Sequence, residues 1–507
     1  MKSLLVNFLS DSYLENLTRQ LLRIKPDKFN YIFDIKKPSQ NDELSKLNFI
    51  DCTFLYDVKF FHKAFVDLDQ SSLNHEEISK LEEGSLMVLK SLDRITPTPT
   101  SNVQNEEYFW ELSSYYKSFF LSNKDISFVI FDNVPHMPWD LTLFYVSKIL
   151  NLKTLILRRT SIGGVSYIAE DFRPQLLNYD FNYLDNSINI FQDKKGTQDK
   201  IKVLKDREFA KGQIDGMWPE DYIKKPKINK LIGKNLRHYL SIIYSLIKLP
   251  KLQSLGATKN SFANSTFSRQ RDLSRLKYFK LRKNYKTKLK KLEKIDEKFP
   301  KNIEGLSKIK YIFFPLHFQP ERSTLPEGGN FDKQYLAIRL LSKEIDNDTK
   351  IIVKDHPKQY YSDLRNDFYR DEFYLKKIDK IKNVIVVSRN HDYQSLLDNA
   401  KITVSVSGSV TWQGLLKGIP GITFSDTWLS KCKSVSTVFD HQNLKSNIKE
   451  LLSKDKDKVF QDIIEFIETN QKYFLDTVVY SRHLRFFNFD ETYPLKNLTK
   501  HLLQRLK

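Results

Sequence analysis

Short apolar runs alternate with segments of helical period over much of this 507-residue chain. Ser3–Leu9, Tyr31–Ile35, Ile126–Phe131 and Thr154–Leu157 read as strands, while Ser12–Ile24 and Trp139–Leu150 carry helical spacing. The alternation loosens between residues 170 and 310, where a Lys-rich stretch dotted with Tyr and Phe predicts helices and long connections. It resumes with strands at Tyr311–Phe314, Lys350–Val353, Val384–Val387 and Ile402–Val406, interleaved with helical patterns at Phe331–Ile345, His391–Asp398 and Val410–Lys417. From about Val459 the chain reads mostly as helix. Such alternation predicts doubly wound parallel sheets. It divides the chain into a Rossmann-like domain over 1–170, a helical, basic connecting region over 171–308, a second Rossmann-like domain over 309–457, and C-terminal helices over 458–507 with the first domain as the surface to which they would return. No internal repeat or low-complexity tract interrupts this plan.

The most telling stretch is Thr403–Asp426, TVSVSGSVTWQGLLKGIPGITFSD. A buried strand stops at Ser407-Gly408-Ser409, a helix runs from Val410, Gly418 and Pro420 end it, and a second strand closes on Ser425-Asp426. Ligands of open parallel sheets gather at the strands' carboxyl ends. A helix start offers a phosphate free N–H groups and the positive end of a dipole. A phosphorylated small molecule, most simply a nucleotide, is expected there. Ser407 and Ser409 supply hydroxyls and Gly408 allows close backbone approach, although either serine also serves as a plain N-cap. In the same first turn, Trp412 reads as core in preference to a platform for a base, and Gln413 lies beside it.

Other strand ends carry further candidates. Lys354-Asp355-His356-Pro357 follows a buried strand, and Pro357 restricts His356 to extended geometry. The imidazole can donate to a phosphate oxygen or a nucleobase carbonyl, with Lys354 and Lys358 balancing phosphate charge without a metal. Phe314–Gln334, FPLHFQPERSTLPEGGNFDKQ, places many polar groups after a strand, which is costly unless they face a ligand or water. Glu321 beside Arg322 reads there either as a catalytic or sugar-binding carboxylate or as half of a surface ion pair. Asp132 or His136, after the strand Ile126–Phe131, is a candidate base for an acceptor hydroxyl, with His136 equally a helix-capping residue. Gly163-Gly164, after Arg158-Arg159-Thr160-Ser161, reads as a flexible basic loop. The Asp-x-Asp triplets at Asp67, Asp346 and Asp455 lack the preceding strand that a metal site of that kind needs, so no metal is expected.

Composition narrows the classes. Hydrophobic residues at 40% and charged residues at 28% are those of a globular chain. Two cysteines, Cys52 and Cys432, make no disulfide framework and fit a reducing compartment. The opening apolar run meets Asp11 and Glu15 early, unlike a signal peptide, and no stretch is long and apolar enough to span a bilayer, so a cytoplasmic protein is expected. The formal net charge of +20 favours an anionic partner. Arg269–Lys294 holds twelve Lys and Arg against only Asp272 and Glu293. It reads as a solvated basic helix or as a peripheral contact with anionic lipid headgroups. Nucleic acid is not expected, because no recognition module accompanies the charge.

With PLHFQPERST at Pro315–Thr324, VKDHP at Val353–Pro357 and SVSGSVTWQGLLKGIPGITF at Ser405–Phe424, the chain resembles the capsule polysaccharide biosynthesis proteins, a bacterial GT-B-like family that includes transferases for 3-deoxy-manno-octulosonic acid (Kdo). The likeness covers roughly residues 309–430, with a patch at 126–160. It implies two Rossmann-like domains facing a cleft, with an acceptor side on the first and a nucleotide-sugar donor on the second. It also implies CMP contacts at His356, Pro357, Ser407 and Ser409, no cofactor, and an oligosaccharide or glycolipid acceptor. Similar proteins often carry Glu where this chain has Gln413. An amide accepts with only one of its ends, so a ribose diol would be held differently, and a CMP-linked donor is favoured over a UDP-linked one without excluding it. The expected activity is metal-independent glycosyl transfer in surface polysaccharide synthesis, using Lys354, His356, Pro357, Ser407, Gly408, Ser409 and Gln413 for the donor, and Glu321, Asp132 and His136 for catalysis. A sugar-nucleotide epimerase of the same fold and a basic nucleic-acid-binding protein are the alternatives.

Overall fold

The computed structural model describes residues 2–38, 42–52, 55, 71–92, 100–172, 188–192, 194–208, 275–360, 370–438, 443–481, 483–484 and 491–506. The Asp67-Leu68-Asp69 triplet and most of the connecting region lie outside them. Two sheets organise the chain. The first contains β1 (Lys2–Val6), β2 (Phe29–Asp34), β3 (Asn48–Asp51), β4 (Ile126–Phe131), β5 (Lys153–Arg159) and β6 (Val165–Ala169). The second contains β7 (Tyr311–Pro315), β8 (Lys350–Lys354), β9 (Val384–Val387), β10 (Ile402–Ser405), β11 (Gly421–Thr423) and β12 (Val435–Thr437). A last short strand, β13 (Leu475–Asp476), returns to the first sheet and pairs antiparallel with β6.

The second sheet runs β9-β8-β7-β10-β11-β12 and is parallel throughout. This is the 3-2-1-4-5-6 order of a doubly wound fold, with its topological switch point between β7 and β10. The first sheet repeats the parallel order β3-β2-β1-β4-β5, so its switch point lies between β1 and β4. There β6 and β13 add an antiparallel edge. Strands buried on both faces need continuous apolar runs. Ile-Ile-Val in β8 and Phe-Val-Ile-Phe in β4 supply them. Each fully buried Leu, Ile or Phe contributes ~1.5–3 kcal/mol relative to exposure.

The carboxyl-terminal loops of the two sheets meet. Arg158, at the end of β5, reaches Glu327 in the loop after β7 at 2.5 Å, and Arg322 of that loop donates to Asn133 after β4. Leu325 of the same loop is buried in the first domain's core. A second apolar cluster joins the lobes: Val165, Tyr167 and Ile201 pack with Trp412, Trp428, Phe460 and Ile463. The chain therefore has the expected GT-B-like architecture, two Rossmann-like lobes facing one another across their strand ends. The helix Thr492–Arg505 packs against Ser12–Ile24 of the first lobe.

Three local readings need correction. The helix expected over Phe331–Ile345 begins only at Gln334, because Lys333 (φ −87°, ψ 82°) sits outside the helical region and a 3₁₀ turn precedes it. The helix from Val410 is six residues long and ends at Leu415. The 160–164 loop is packed rather than flexible: Ile162 is buried, and the Gly163 N–H donates to the Arg207 carbonyl while the Arg207 side chain donates to the Gly163 carbonyl. Among the described residues no helix is long and apolar enough to cross a membrane.

Candidate active site

Each sheet carries polar groups at its switch point. In the second, His317 follows β7 and Val406 follows β10, and the imidazole bridges them: Nε2 accepts the Val406 N–H at 3.2 Å. A nitrogen that accepts a backbone N–H carries no proton, so the neutral ring holds its hydrogen on Nδ1. That atom lies 3.2 Å from Ser323 Oγ and 3.5 Å from Glu321 Oε2. The His317 backbone is also fixed: its N–H donates to Gln334 Oε1 at 2.7 Å, and its carbonyl accepts from Arg370 at 3.2 Å. His317 is thus tied at both backbone atoms and both ring nitrogens, and it aims a donor at Glu321.

Glu321 is exposed, with 46% of its side-chain surface open to solvent, although many protein atoms surround its carboxylate. Burial raises its carboxyl, but the His317 hydrogen bond, with Ser323 and His356 assisting, outweighs that and holds it low, at about 2. His356 stands nearby. Burial lowers its imidazole to about 4, against the opposing pull of Glu321 and Asp355. Its Nδ1 accepts the Lys358 N–H at 3.1 Å, so the neutral ring carries its proton on Nε2, as a donor. Lys358 Nζ lies 4.7 Å from the centroid of Phe318, whose ring also neighbours His356.

In the first lobe, Asp132 follows β4 and is half-buried. Burial lifts its carboxyl to about 8, with Asp34 adding to the rise and hydrogen bonds from Tyr480 and Asn7 opposing it. The Tyr480 hydroxyl donates to its Oδ2 at 3.1 Å. Asp34, fully buried at the end of β2, accepts the N–H groups of Leu9, Ile35 and Lys36. His136 Nδ1 donates to the Val134 carbonyl at 2.9 Å, which leaves Nε2 as the basic nitrogen. The cap of the following helix comes from Asp140, which accepts the N–H groups of His136 and Met137.

The predicted donor residues divide. Pro357 and Ser409 are exposed, and Ser407 and Gly408 are partly so. The room above Gly408 belongs to the His317 ring rather than to a ligand: a β-carbon there would meet His317 Cε1 at 2.8 Å. The Ser407 hydroxyl donates to the Ser323 carbonyl at 2.6 Å, and no side chain caps the short helix at Ser409. The Gln413 carbonyl already accepts the Tyr393 hydroxyl at 2.5 Å, which weakens it as a seat for ribose. Lys354 is a correction: its ammonium is buried and donates to the Arg389 carbonyl at 2.7 Å, away from the donor role expected of it. Burial lowers it to about 8. Asp355 is likewise structural, paired with buried Arg370 and the Tyr360 hydroxyl. Trp412 is core, fully buried against Trp428.

Sequence reasoning missed the role of His317, the Arg158–Glu327–Arg322 cluster between the lobes, and Tyr480. His317 had a signal, since it lies two residues beyond the end of β7 at the switch point. Tyr480, which reaches Asp132 across 348 residues, had none. Among the described residues no group of three or more His, Cys, Asp or Glu could hold a metal ion.

No protein-family model matches this chain, and no curated protein does. Solved structures that resemble it include a UDP-GlcNAc 2-epimerase from Methanocaldococcus jannaschii, 12% identical, covering 92% of this chain and 100% of that one with a TM-score of 0.23. The Thermosulfurimonas dismutans KpsC β-Kdo 2,7 transferase is 8% identical, with 78% and 97% covered and a TM-score of 0.27. An E. coli trehalose-6-phosphate structure bound with UDP-2-fluoro glucose is 9% identical, with 96% and 98% covered and a TM-score of 0.28. At these values none bears on what this chain binds.

Proposed function

We propose that this chain is a GT-B-type glycosyltransferase that moves a sugar from a nucleotide-sugar donor to a growing surface polysaccharide or a lipid-linked acceptor on the cytoplasmic side of a membrane, without a metal. The donor we favour is CMP-linked with a Kdo-like sugar, on the strength of the motif resemblance, with a UDP-linked donor second. The observation that carries the reading is that the strand-end loops of the two lobes meet and each presents a held carboxylate, Glu321 3.5 Å from His317 Nδ1 and Asp132 3.1 Å from the Tyr480 hydroxyl. Glu321 is held near 2 and stays anionic at any working pH, whereas Asp132 sits near 8 and exchanges its proton close to neutrality. Environments that push two carboxyl groups apart divide acid–base labour between them.

In this mechanism Asp132 accepts the proton of the acceptor hydroxyl, and Tyr480 holds its Oδ2 in place. His136, with Nε2 as its basic nitrogen, is the second candidate for that proton. The acceptor oxygen bonds to the anomeric carbon. The bond from that carbon to the phosphate oxygen breaks, and its electron pair leaves with the nucleotide. Glu321 faces the positive charge that develops on the sugar ring, while His356 donates its Nε2–H to the departing phosphate, aided by Ser409 at the open helix start. Fixed charges and dipoles of this kind stabilise a transition state without reorganising.

A thermal-shift panel of CMP, UDP and GDP and their sugars tests the donor class. One nucleoside should stabilise the protein selectively, and no response to any of them overturns the reading. Glu321→Gln and Asp132→Asn should each abolish nucleotide release while keeping that thermal shift. A nucleotide sugar converted to an isomer with no acceptor present would replace transfer by epimerisation.

A further inference from the structure

The helix Arg275–Asp296 has two unlike faces over its described side chains. Lys283, Thr287, Lys290, Lys291 and Lys294 are spaced three or four residues apart, or one, and share an arc of roughly 100°. All are exposed, as are Lys298 and Lys301 just beyond the helix. Leu289, Leu292 and Ile295 occupy the opposite side and are buried, the two leucines against Tyr360. Glu293 and Asp296 turn inward to Arg389, at 3.3 and 3.8 Å. The helix is therefore fastened to the second lobe by its apolar seam and its acids, and Lys283, Lys290, Lys291 and Lys294 are left exposed.

Exposed apolar side chains border this stripe. Lys291 pairs with Glu372 at 3.3 Å, and the next residue, Phe373, is 52% exposed with Lys376 Nζ 5.7 Å from its ring centroid. Arg370, just before this segment, and Gln334, just before Tyr335, both donate to the His317 carbonyl, at 3.2 and 3.3 Å, so the two segments lie side by side. Tyr335 and Leu336 are 37% and 39% exposed. Single exposed apolar residues are ordinary. A lysine stripe bordered by an exposed Phe, Tyr and Leu is not, because it combines cations for headgroups with side chains suited to the boundary of a bilayer. Nucleic acid would use the cations and the aromatic rings, but it offers nothing to Leu336.

We infer that this face, built on Lys283, Lys290, Lys294, Leu336 and Phe373, docks peripherally on an anionic lipid surface. The inference stands independently of the reaction proposed above. It has a consequence for the site, because the docking segments also carry the groups that hold His317: Gln334 binds its N–H and Arg370 its carbonyl. Docking brings the loop that carries Glu321 close to the bilayer.

Co-sedimentation of the full chain with phosphatidylcholine vesicles, with and without phosphatidylglycerol, tests it. Binding should require phosphatidylglycerol and weaken as salt rises. Each of Lys283→Glu, Lys290→Glu and Lys294→Glu should reduce the partition coefficient about fivefold or more, from ~1 kcal/mol per lost cation. The double variant Leu336→Ser, Phe373→Ser should weaken binding while keeping its salt dependence. Unfolding curves matching wild type keep each variant interpretable. Absence of binding, equal binding to both vesicle types, or wild-type binding by a variant combining Lys283→Glu, Lys290→Glu and Lys294→Glu overturns the inference. So does tight RNA binding that the lysine variants lose and the Leu336/Phe373 variant keeps.

Discussion

His317 and Gly408 stand on either side of the second sheet's switch point, and each constrains the other. The imidazole lies over Gly408 so closely that a β-carbon there would meet Cε1 at 2.8 Å and Nε2 at 3.1 Å. The glycine in the Ser-Gly-Ser turn therefore makes room for the residue that directs Glu321. Gly408→Ala should force the ring out, at a stability cost of ~1–3 kcal/mol for overpacking. Because a displacement of about 1 Å near the reacting groups can cost roughly 10²-fold, turnover should fall by about that factor. Denaturant unfolding beside steady-state kinetics measures both effects. Unchanged turnover with normal folding would separate His317 from the chemistry.

The two ring nitrogens of His317 can be tested separately. Asn presents its amide donor near the position of Nδ1, whereas Gln reaches nearer to Nε2. His317→Asn should keep the partner of Glu321 and lose the acceptor for Val406 N–H. His317→Gln should do the reverse. The acidic limb of the kcat/KM profile reports the Glu321 carboxyl. That limb should stay low in the Asn variant and climb toward the ordinary carboxylate range in the Gln variant. A limb that moves equally in both would show that Glu321 is held down by something other than Nδ1.

The parallel sheets were legible because their strands are buried on both faces, so β4, β7, β8, β9 and β10 stand out as unbroken apolar runs. The edges were not. β12 has three residues and β13 has two, too short to leave a period in the sequence. In the site, strand-end position singled out Glu321, His356 and Asp132 from the sequence, but side-chain direction was invisible. Lys354 and His356 sit two residues apart, yet the Lys354 ammonium is buried on the Arg389 carbonyl while the His356 ring lies beside Phe318 and accepts the Lys358 N–H. Contacts between the lobes, such as Arg158 with Glu327, depend on how two domains meet, and no local pattern encodes that.

Arg158 and Glu327 are both nearly fully buried and 2.5 Å apart, and Arg322 approaches the same carboxylate at 3.0 Å. Removing one member of a buried pair leaves a stranded charge and typically costs ~3–5 kcal/mol, whereas replacing both with apolar residues is often neutral. Arg158→Met alone should therefore destabilise by about that amount. The double variant Arg158→Met, Glu327→Leu should recover part of it, short of full recovery because Arg322 then loses its partner. Chemical denaturation of wild type, Arg158→Met, Glu327→Leu and the double variant checks this. A double variant as unstable as the sum of its single changes would mean the two residues do not act as a pair.

Asp132 makes the protein less stable as pH rises from acid toward about 8. Its folded value is raised from 3.8 to about 8, so the protein holds this proton more tightly than the unfolded chain does. The stabilisation is fully present below about 3.8 and is lost as pH rises through about 8. Glu321 behaves oppositely: its contribution is present above 4.5 and lost as pH falls toward about 2. Asp132→Asn should flatten the decline in melting temperature between about pH 3.8 and about pH 8 while abolishing turnover. A decline over that range identical to wild type would place the titrating group elsewhere.

His356 and Lys354 should part company when each is replaced. His356 offers Nε2–H toward the cleft, so His356→Ala should weaken nucleotide binding by about tenfold or more, as loss of a hydrogen bond to a charged phosphate contributes ~1.5–3 kcal/mol. Lys354 instead serves the fold: its buried ammonium donates to the Arg389 carbonyl within the field of Asp355 and Asp296. Lys354→Met strands that carbonyl and should lower stability by ~1–3 kcal/mol while leaving nucleotide affinity near wild type at temperatures where the variant is folded. Isothermal titration with the nucleotide that stabilises the wild type, alongside denaturant unfolding, distinguishes the two. A tenfold loss of affinity in Lys354→Met, with stability unchanged, would return the lysine to the donor phosphate and remove the reason for assigning that contact to His356.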